Sequence, residues 1–513
     1  MRRRPTLEHL LVLVLALLVL VVHDVGYIFS QPYWTDESWV AATTVFPLSQ
    51  LPATTSSTPI GWSLLVRVFT ISGTESARVV PLAFAGIAVA VAYWFGRTLG
   101  WRRRDVAIGA GVLAAIAMLL VPAMLVRDDL KQYTSDACFA MLALACVSRL
   151  DRNWSRSALV VLSVVTWGGM LFSDVVAFAG AAAFAAVCVV QLARRAWRRL
   201  AEAVLAGVIT AGLMAAIYKL FDSRAKISNL VESPHFQYYY VPLNEGLRPA
   251  LSFIHESFTY VTSQFGLGPD WLVVLLYVAG VVTLFRVGRP VTAVAVAALW
   301  PEMVVISALK LYPFMDSRTS TGLYAVSAVV AAVGVAGICA LLRSYFKGSL
   351  AVGLAALAVA GFAASSYPDI RSHLIPDEDV RDQVSYVEAH AASTDVILVN
   401  LNGSFNFAYY WKLDRPAREA TTVLDQLYEP YYPSQPRIVM AANRDRTQVD
   451  DALAKALAQS RTRDCAPIWF VASHVDTSEA AYWSAALQQD HLTATPVGDD
   501  GLSVIRPAKS ACG

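Results

Sequence analysis

Long apolar runs, separated by short polar gaps, fill the first 366 residues of the chain. Each run is about twenty residues long, which is the length that an α-helix needs to cross the hydrocarbon core of a membrane. The pattern predicts a polytopic α-helical membrane protein with about eleven transmembrane helices. These helices are predicted at residues 8–29, 77–97, 105–126, 131–148, 157–173, 175–193, 200–220, 270–286, 290–310, 319–342 and 349–366.

The pattern changes after Tyr367. From there on the chain is polar, and short β-like runs alternate with helical stretches, an order typical of a small α/β domain. The sequence therefore predicts a transmembrane domain at residues 1–366 and a soluble α/β domain at residues 367–513. The β-like runs are 396–400, 436–440 and 468–472, and the helical stretches include 377–390 and 448–459.

The first apolar run has two interpretations. Arg2, Arg3 and Arg4 precede an apolar stretch that begins at Leu10, an arrangement that secretory signal peptides share. No small-x-small cleavage site follows, and the apolar character continues to Phe29. A retained first helix is therefore the favoured interpretation.

Composition excludes an ordinary soluble protein. The 513 residues are 56% hydrophobic and only 16% charged, whereas a globular core of this size needs a charged surface. Arg and Lys gather in alternate gaps on the side of the N-terminus, and the positive-inside rule makes this side cytoplasmic. We expect a multi-pass protein of a bacterial plasma (inner) membrane, with a cytoplasmic N-terminus and an extracytoplasmic C-terminus. The basic clusters are Arg97, Arg102, Arg103 and Arg104; Arg149, Arg152 and Arg156; Arg194, Arg195, Arg198 and Arg199; Arg286 and Arg289; Arg343 and Lys347.

Two of the gaps opposite the arginines are long. The first, 30–76, holds the amphipathic stretch 59–69; a spanning helix there would place every later basic cluster on the wrong side, so we expect this stretch to lie in the membrane interface. The other, 222–268, is rich in Tyr, Phe and His. Its His235 and Tyr239 fit either an aromatic belt at the interface or a groove for an acceptor.

Carboxylates and cations from distant segments gather in the gaps opposite the arginines. One interpretation is that these charges only mark helix ends. The other is catalytic: a carboxylate takes a proton from an acceptor hydroxyl, while Arg and Lys hold a phosphate that leaves with its negative charge. A lipid-linked phosphosugar has its phosphate at this level of the membrane. The residues are Asp36, Glu37, Asp128, Asp129, Lys131, Asp316 and Arg318.

The order of several short motifs resembles the GT-C superfamily of membrane glycosyltransferases. The similarity is greatest to family 39, which contains protein O-mannosyltransferases and bacterial aminoarabinose transferases. Together the motifs cover most of residues 8–342. They are the acidic pair Asp36 and Glu37, the segment from Pro59 to Phe69, Glu75 to Pro81, Leu130 to Asp136, Leu171 to Asp174, and Tyr312 to Phe314 with Arg318.

The resemblance implies a GT-C fold with an extracytoplasmic C-terminal domain, and an inverting transferase that uses a polyprenyl-phosphate sugar as donor. By position, Asp36 would be the general base and Glu37 a supporting acid, and Asp128 or Asp129 would form a second acidic site. The candidates for binding the donor phosphate are Lys131, Arg318 and Arg78. The candidates for binding substrate are Tyr133, Asp136, His235 and Tyr239.

The resemblance also implies the partners: the lipid bilayer, the lipid-linked donor, and a glycan, lipid or protein acceptor. The external loops lack the repeat-domain insert of the protein O-mannosyltransferases, which disfavours a protein acceptor. We expect no nucleic-acid partner and no obligatory cofactor, and a divalent metal is left open. The donor sugar (mannose, arabinofuranose or another) is also left open.

Two other classes of function compete with the transferase. A transporter or flippase of lipid-linked sugars would show charged residues within the spans, broken helices and pseudo-symmetric halves. The chain shows few such charges and no internal repeat. A non-catalytic membrane scaffold is the third class, and in it Asp36 would be free to vary.

The six cysteines divide into two groups. Four of them fall within predicted spans, where small thiol side chains serve as packing residues. Cys465 and Cys512 lie in the polar C-terminal region. In an exported domain these two would form a disulfide, and the alternative is a pair of unpaired thiols.

Overall fold

A computed structural model of the chain divides it into two compact units. Unit 1 consists of residues 1–28, 79–220 and 234–374, and unit 2 of residues 29–78, 221–233 and 375–513. The structure describes residues 7–55, 58–120, 130–223, 237–264, 270–314, 316, 318–345, 348–371, 380–411, 418–419, 428–498 and 501–507.

Helices make up most of the described chain, and we number them in chain order. The first twelve are α1 (Leu7–Leu17), α2 (Val19–Val22), α3 (Val25–Ser30), α4 (Thr35–Thr43), α5 (Leu51–Thr54), α6 (Ile60–Phe69), α7 (Val79–Thr98), α8 (Arg104–Leu119), α9 (Tyr133–Arg152), α10 (Arg156–Gly169), α11 (Val176–Ala193) and α12 (Trp197–Ile217). The others are α13 (Leu247–Gln264), α14 (Asp270–Arg286), α15 (Pro290–Ala308), α16 (Thr321–Tyr345), α17 (Gly348–Arg371), α18 (Val380–His390), α19 (Leu401–Tyr410), α20 (Arg446–Arg461) and α21 (Thr477–Gln489).

Each predicted span coincides with one of these helices, except that the first is divided into α1, α2 and α3. The break between α2 and α3 follows from Asp24, whose positive φ of 52° interrupts the helical backbone. Next to it, His23 is buried, and its Nε2 lies 3.0 Å from the carbonyl oxygen of Leu119. A polar side chain with a partner of this kind holds the break in place.

Within the described residues, six helices are long and apolar enough to cross a membrane, and four further apolar helices are shorter. The predicted number of about eleven crossings therefore remains a prediction. Helix α12 shows why a membrane is the expected surroundings, because it exposes a stripe of large apolar side chains that water would not favour. These side chains are Val204, Leu205, Val208 and Ile209.

Helices α14 and α16 of unit 1 pack closely because small residues line their contact. A Cβ atom on Gly280 would overlap the carbonyl oxygen of Val330, and one on Gly334 would overlap the carbonyl oxygen of Leu276. Glycine at these positions lets two helix backbones approach, as is common between membrane helices.

Two segments that lie between the predicted spans contain helices. Helix α6 has 10 residues, about 15 Å of helix and half of a hydrocarbon core, so it is too short to span. The predicted loop 222–268 contains α13, which was not predicted. Phe253, Ile254 and Phe258 of this helix pack against the core of unit 1. They recur at helical spacing, which the aromatic composition of the segment does not by itself indicate.

Unit 2 contains a five-stranded sheet in the order β4-β1-β5-β7-β6. Strand β1 pairs in parallel with β4 and β5, and β7 runs antiparallel to β5 and β6. The three predicted β-like runs are these three parallel neighbours, so the predicted α/β character is confirmed. The strands are β1 (Val396–Val399), β2 (Arg418–Glu419), β3 (Tyr428–Glu429), β4 (Ile438–Met440), β5 (Ile468–Val471), β6 (Ala494–Pro496) and β7 (Leu502–Ile505), of which β2 and β3 form a separate pair.

Asn400 connects the sheet to α19. It follows β1, and its side-chain oxygen accepts hydrogen bonds of 3.0 Å from the backbone N–H groups of Gly403 and Ser473. The first of these bonds caps the N-terminus of α19. The cap directs α19 towards the segment 29–78, which the predicted division had placed in the transmembrane domain and whose contacts place it in unit 2.

Candidate active site

Helix α4 carries the predicted acidic pair. It begins after Trp34, and Asp36 and Glu37 lie in its first turn, where the helix dipole favours carboxylates. The two side chains have different surroundings, since Glu37 is fully buried and Asp36 is half-exposed. Of the pair, Asp36 is the carboxylate that lies at the surface of unit 2.

Arg78 compensates the buried charge of Glu37. Its guanidinium donates from Nε to Glu37 Oε1 at 2.8 Å and from Nη2 to Oε2. It also donates to the carbonyl oxygens of Gln31 and Pro32 at 2.7 and 3.0 Å, and lies 4.9 Å from the ring centroid of Tyr33. Because Arg78 is buried and has these protein acceptors, its geometry favours a structural role over the predicted binding of the donor phosphate.

The hydroxyl of Tyr410, at the end of α19, joins two parts of the segment that carries α4. It accepts a hydrogen bond from the backbone N–H of Tyr33 at 2.8 Å and donates one to Glu75 Oε1 at 3.0 Å. Arg381 donates to the same carboxylate oxygen at 3.1 Å. Burial, and then the charge of Glu75, hold the pKa of Tyr410 well above its usual value, so the hydroxyl stays protonated and keeps donating.

Other aromatic residues of the C-terminal region pack around α4. The hydroxyl of Tyr428 donates to the carbonyl oxygen of Trp39 at 2.6 Å, and its ring meets that of Phe46 edge-on at 5.2 Å. The hydroxyl of Tyr409 donates to the carbonyl oxygen of Thr74 at 2.6 Å. The segment that carries Asp36 is thus held by side chains that follow it by more than 300 positions.

A second polar cluster lies in unit 1, at the start of α9. Asp136 is fully buried and accepts a hydrogen bond of 2.7 Å from the hydroxyl of Ser173. Ser173 Oγ in turn accepts from the backbone N–H of Val176 at 3.2 Å, at the start of α11. Gln132 Nε2 donates to Asp174 Oδ2 at 3.3 Å. These contacts bring together two of the motifs on which the family resemblance rests.

The segment before α16 joins the same cluster. Burial, and then the charges of Asp136 and Asp174, hold the pKa of Tyr312 well above its usual value. The hydroxyl of Tyr312 donates to the carbonyl oxygen of Thr319 at 3.2 Å, and Asp316, which is buried, accepts from the backbone N–H of Thr319 at 2.9 Å. Three motifs that are far apart in sequence therefore meet at one end of unit 1.

The two remaining cation candidates belong to this end of unit 1. Lys131, which is buried, directly precedes the cluster residues of α9. Arg318 is half-exposed and lies in the turn that Asp316 stabilises. Tyr239 is connected to the same segment, because its carbonyl oxygen accepts from the backbone N–H of Phe314 at 2.7 Å. Tyr133, the first residue of α9, is buried.

The structure divides the predicted site residues between the two units. Asp36, Glu37 and Arg78 belong to unit 2, whereas Lys131, Tyr133, Asp136, Tyr239 and Arg318 belong to unit 1. Four predicted residues lie outside the described part of the chain: Asp128, Asp129, His235 and Cys512.

The described residues bear on the predicted disulfide and on the question of a metal ion. Cys465 is disulfide-bonded, and its predicted pairing with Cys512 stays a prediction. Within the described ranges, no group of three or more His, Cys, Asp and Glu side chains is arranged to hold a metal ion. The question of a divalent metal therefore stays open.

Sequence reasoning missed the residues that hold the site. Glu75 and Ser173 fell within recognised motifs but were given no role, and Tyr410 was not singled out. A signal was present, since α19 is an aromatic-rich, entirely buried helix within a polar region. Such a helix needs an apolar partner surface, and α4 supplies part of it.

No protein-family model and no curated protein matches the chain. Solved structures do match it. The crystal structure of ArnT from Cupriavidus metallidurans in the apo state aligns with a TM-score of 0.53 at 14% identity, covering 99% of this chain and 100% of that one. The same protein bound to undecaprenyl phosphate gives 0.51 at 16% identity, covering 98% of each chain. An oligosaccharyltransferase of Archaeoglobus fulgidus, in complex with Zn and sulfate, gives 0.53 at 12% identity, covering 98% of this chain and 73% of that one.

These proteins are GT-C glycosyltransferases. At identities this low the similarity concerns the fold, and it extends over nearly the whole of this chain. Together with the apolar helices it indicates a multi-pass membrane protein. The chain therefore has the fold of the GT-C superfamily, as its sequence motifs indicated.

Proposed function

We propose that the chain is an integral-membrane glycosyltransferase that moves a sugar from a polyprenyl-phosphate donor to an acceptor hydroxyl on the extracytoplasmic side, with inversion at the anomeric carbon. The observation that carries the proposal is the acidic pair of α4, in which Glu37 is neutralised within the protein and Asp36 stays at the surface. The GT-C fold supports the same class of reaction.

Asp36 is the general base. Its carboxylate accepts the proton of the acceptor hydroxyl as the hydroxyl oxygen bonds to the anomeric carbon, and the bond from that carbon to the phosphate oxygen breaks. Because Arg78 compensates the charge of Glu37, Asp36 is the destination of the proton in this pair. Glu37 and Arg78 fix the first turn of α4 and thereby aim Asp36.

Lys131 and Arg318 hold the phosphate that leaves. The leaving group departs as a polyprenyl phosphate with its full negative charge, and charge-assisted hydrogen bonds to an ammonium and a guanidinium stabilise that charge as it develops. The donor class is supported by the similar fold of ArnT, which was solved with undecaprenyl phosphate bound. Tyr133, Asp136 and Tyr239 belong to the same end of unit 1 and are candidates for sugar recognition.

Asp36 follows the first predicted crossing, so a cytoplasmic N-terminus would place it outside the cell. The arginine clusters in alternate gaps support this orientation. Alkaline phosphatase fused after residue 513 is expected to be active in cells, and fused after residue 199, within a basic cluster, to be inactive. The reverse pattern would overturn the orientation.

The decisive test replaces Asp36 by Asn in the full-length protein. Transfer from radiolabelled polyprenyl-phosphate sugars to an extracted acceptor pool should fall by about 10²–10⁴-fold, the usual contribution of a general base. The matched control is Glu388→Gln, an exposed carboxylate of the same unit. Undiminished transfer by Asp36→Asn would remove Asp36 as the base.

The same assay in sealed vesicles distinguishes a transferase from a flippase. Label that becomes covalently attached to the acceptor supports the transferase. Label that changes leaflet and stays on the lipid, equally with Asp36→Asn, would support the transporter instead.

A further inference from the structure

A cavity of about 300 Å³ lies in unit 1 where α9 and α11 end and α12 and α15 begin. Its polar lining consists chiefly of Asp151, Arg152, Trp154, Gln191, Arg194 and Arg199, and we call it the basic pocket. Lys131 lies just before α9 and Asp151 in its last turn, about 30 Å away along a helix of this length. The basic pocket is therefore separate from the polar cluster that holds Asp136.

Glu202, which lies outside the lining of the basic pocket, pairs with arginines that do not line it. Glu202 accepts from Arg156 at 2.9 Å, lies 3.5 Å from Arg198, and accepts from the indole N–H of Trp154 at 3.3 Å. Within the described part of the chain, none of the ion pairs involves the three arginines of the pocket. Three guanidinium groups thus face one cavity.

The lining of the basic pocket also contains buried side-chain oxygen atoms that accept no hydrogen bond from the described residues. Gln191 is 2% exposed, and its Oε1 has no hydrogen-bond partner among the described residues. Asp151 Oδ1 is also a buried atom without a hydrogen-bond partner among these residues. The other carboxylate oxygen of Asp151, Oδ2, accepts a hydrogen bond of 2.9 Å from the backbone N–H of Val291. A buried acceptor without a donor costs free energy, so this lining fits a ligand that brings both negative charge and hydroxyl groups.

The surroundings indicate where such a ligand comes from. Two candidate spans, Val176–Ala193 and Pro290–Ala308, have an end at the pocket, so it lies where helices leave the hydrocarbon layer. Trp154 is held by Glu202, and its ring lies 5.6 Å from the guanidinium of Arg199, an arrangement typical of an interface. Basic pockets between helix ends on the arginine-rich side bind anionic lipid head groups in other membrane proteins.

We propose that the basic pocket binds the glycerophosphate head group of an anionic phospholipid. The phosphate lies among Arg152, Arg194 and Arg199, whose guanidinium groups donate to its oxygens. The glycerol hydroxyls donate to Gln191 Oε1 and Asp151 Oδ1. This site takes no part in the proposed transfer, and its test does not depend on that activity.

The test is native mass spectrometry of the full-length protein in mixed micelles that contain phosphatidylglycerol or phosphatidylcholine. The wild type should retain phosphatidylglycerol at least tenfold better than phosphatidylcholine, and Arg152→Gln with Arg194→Gln should remove that preference, because the double variant lacks two of the three guanidinium groups that hold the phosphate. Arg195→Gln, in the same cluster but outside the pocket lining, is the matched control. Retention of both lipids alike, or an unchanged preference in the double variant, would overturn the proposal.

Two further arms remove the remaining alternatives. Gln191→Leu should lower the preference for phosphatidylglycerol without lowering the unfolding temperature, because it removes an acceptor that has no partner. Inorganic phosphate alone should not displace bound phosphatidylglycerol; efficient displacement would show a site for a free anion, and would also overturn the lipid assignment.

Discussion

The backbone N–H of Tyr33 donates a hydrogen bond of 2.8 Å to the hydroxyl of Tyr410, across 377 positions of sequence. Tyr33 lies three residues before Asp36, so this bond fixes the approach to the first turn of α4. The C-terminal region is thus more than an appended soluble domain. Through α19 it forms part of the structure that positions the proposed base.

Replacing Tyr410 by Phe should destabilise the protein by about 1–3 kcal/mol, because a buried N–H and a buried carboxylate lose a partner. Transfer should fall as well, through a lower kcat, since Asp36 is no longer held in place. Thermal unfolding and steady-state kinetics of the purified protein measure both effects. Tyr386→Phe, in which the ring stacks on His390 at 4.0 Å, is the control, and equal behaviour of the two variants would contradict the prediction.

The two acids of α4 should respond differently to amide substitution. Glu37→Gln leaves the charge of Arg78 buried and uncompensated, which should cost about 3–5 kcal/mol of stability. Asp36→Asn, at a half-exposed position, should change stability by less than about 1 kcal/mol while transfer falls by about 10²–10⁴-fold.

A double variant tests whether the ion pair itself is the cause. Glu37→Gln with Arg78→Met removes both charges, so its unfolding temperature should lie above that of either single variant. If the effects of the two substitutions were simply additive, the coupling between Glu37 and Arg78 would be absent and this explanation wrong.

Lys131→Gln and Arg318→Gln should each lower kcat/KM for the lipid-linked donor by about 10–100-fold, the value of one charge-assisted hydrogen bond to phosphate. The unfolding temperature should change little for Arg318→Gln, which is half-exposed. Lys310→Gln, an exposed lysine between α15 and α16, is the matched control. Wild-type kinetics in both variants would place the donor phosphate elsewhere.

Stability should fall at high pH because of buried tyrosines. Burial holds the pKa values of Tyr410 and Tyr428 well above the usual value, whereas in the unfolded chain both titrate near pH 10. Above about pH 10 the unfolded state therefore releases protons that the folded state keeps, and stability falls by about 1.4 kcal/mol per pH unit for each tyrosine. Unfolding measured from pH 8 upwards should show a shallower decline for Tyr410→Phe than for Tyr386→Phe; identical slopes would contradict it.

The helices were predictable because the membrane imposes one rule, a long apolar run, on each of them. The strands of unit 2 were predictable for a related reason, since β1 and β5 are buried along their whole length and are therefore uniformly apolar. Asp36 was predicted as a site residue from its position after the first helix, and its role stays a prediction.

The features that the sequence did not predict are contacts between residues that lie far apart along the chain. Nothing local marks Arg78 as the counterion of Glu37, 41 positions away, so its charge suggested a ligand instead. The hydroxyl of Tyr410 likewise has no local signal, because its partners belong to another segment. Helix α13 was not predicted because the aromatic composition of the segment suggested an interfacial loop, although its apolar residues recur at helical spacing.

The contact between Tyr410 and Glu75 also sets an order of events during translation. The two residues are 335 positions apart, and a ribosome that adds about 5–20 residues per second needs roughly 17–67 s to cover that distance. Throughout this interval the nascent chain already contains Asp36 but lacks the helix that orients it. The geometry around the proposed base is therefore completed only after α19 has been made, and a prematurely terminated product that lacks α19 should lack the contacts that position Asp36.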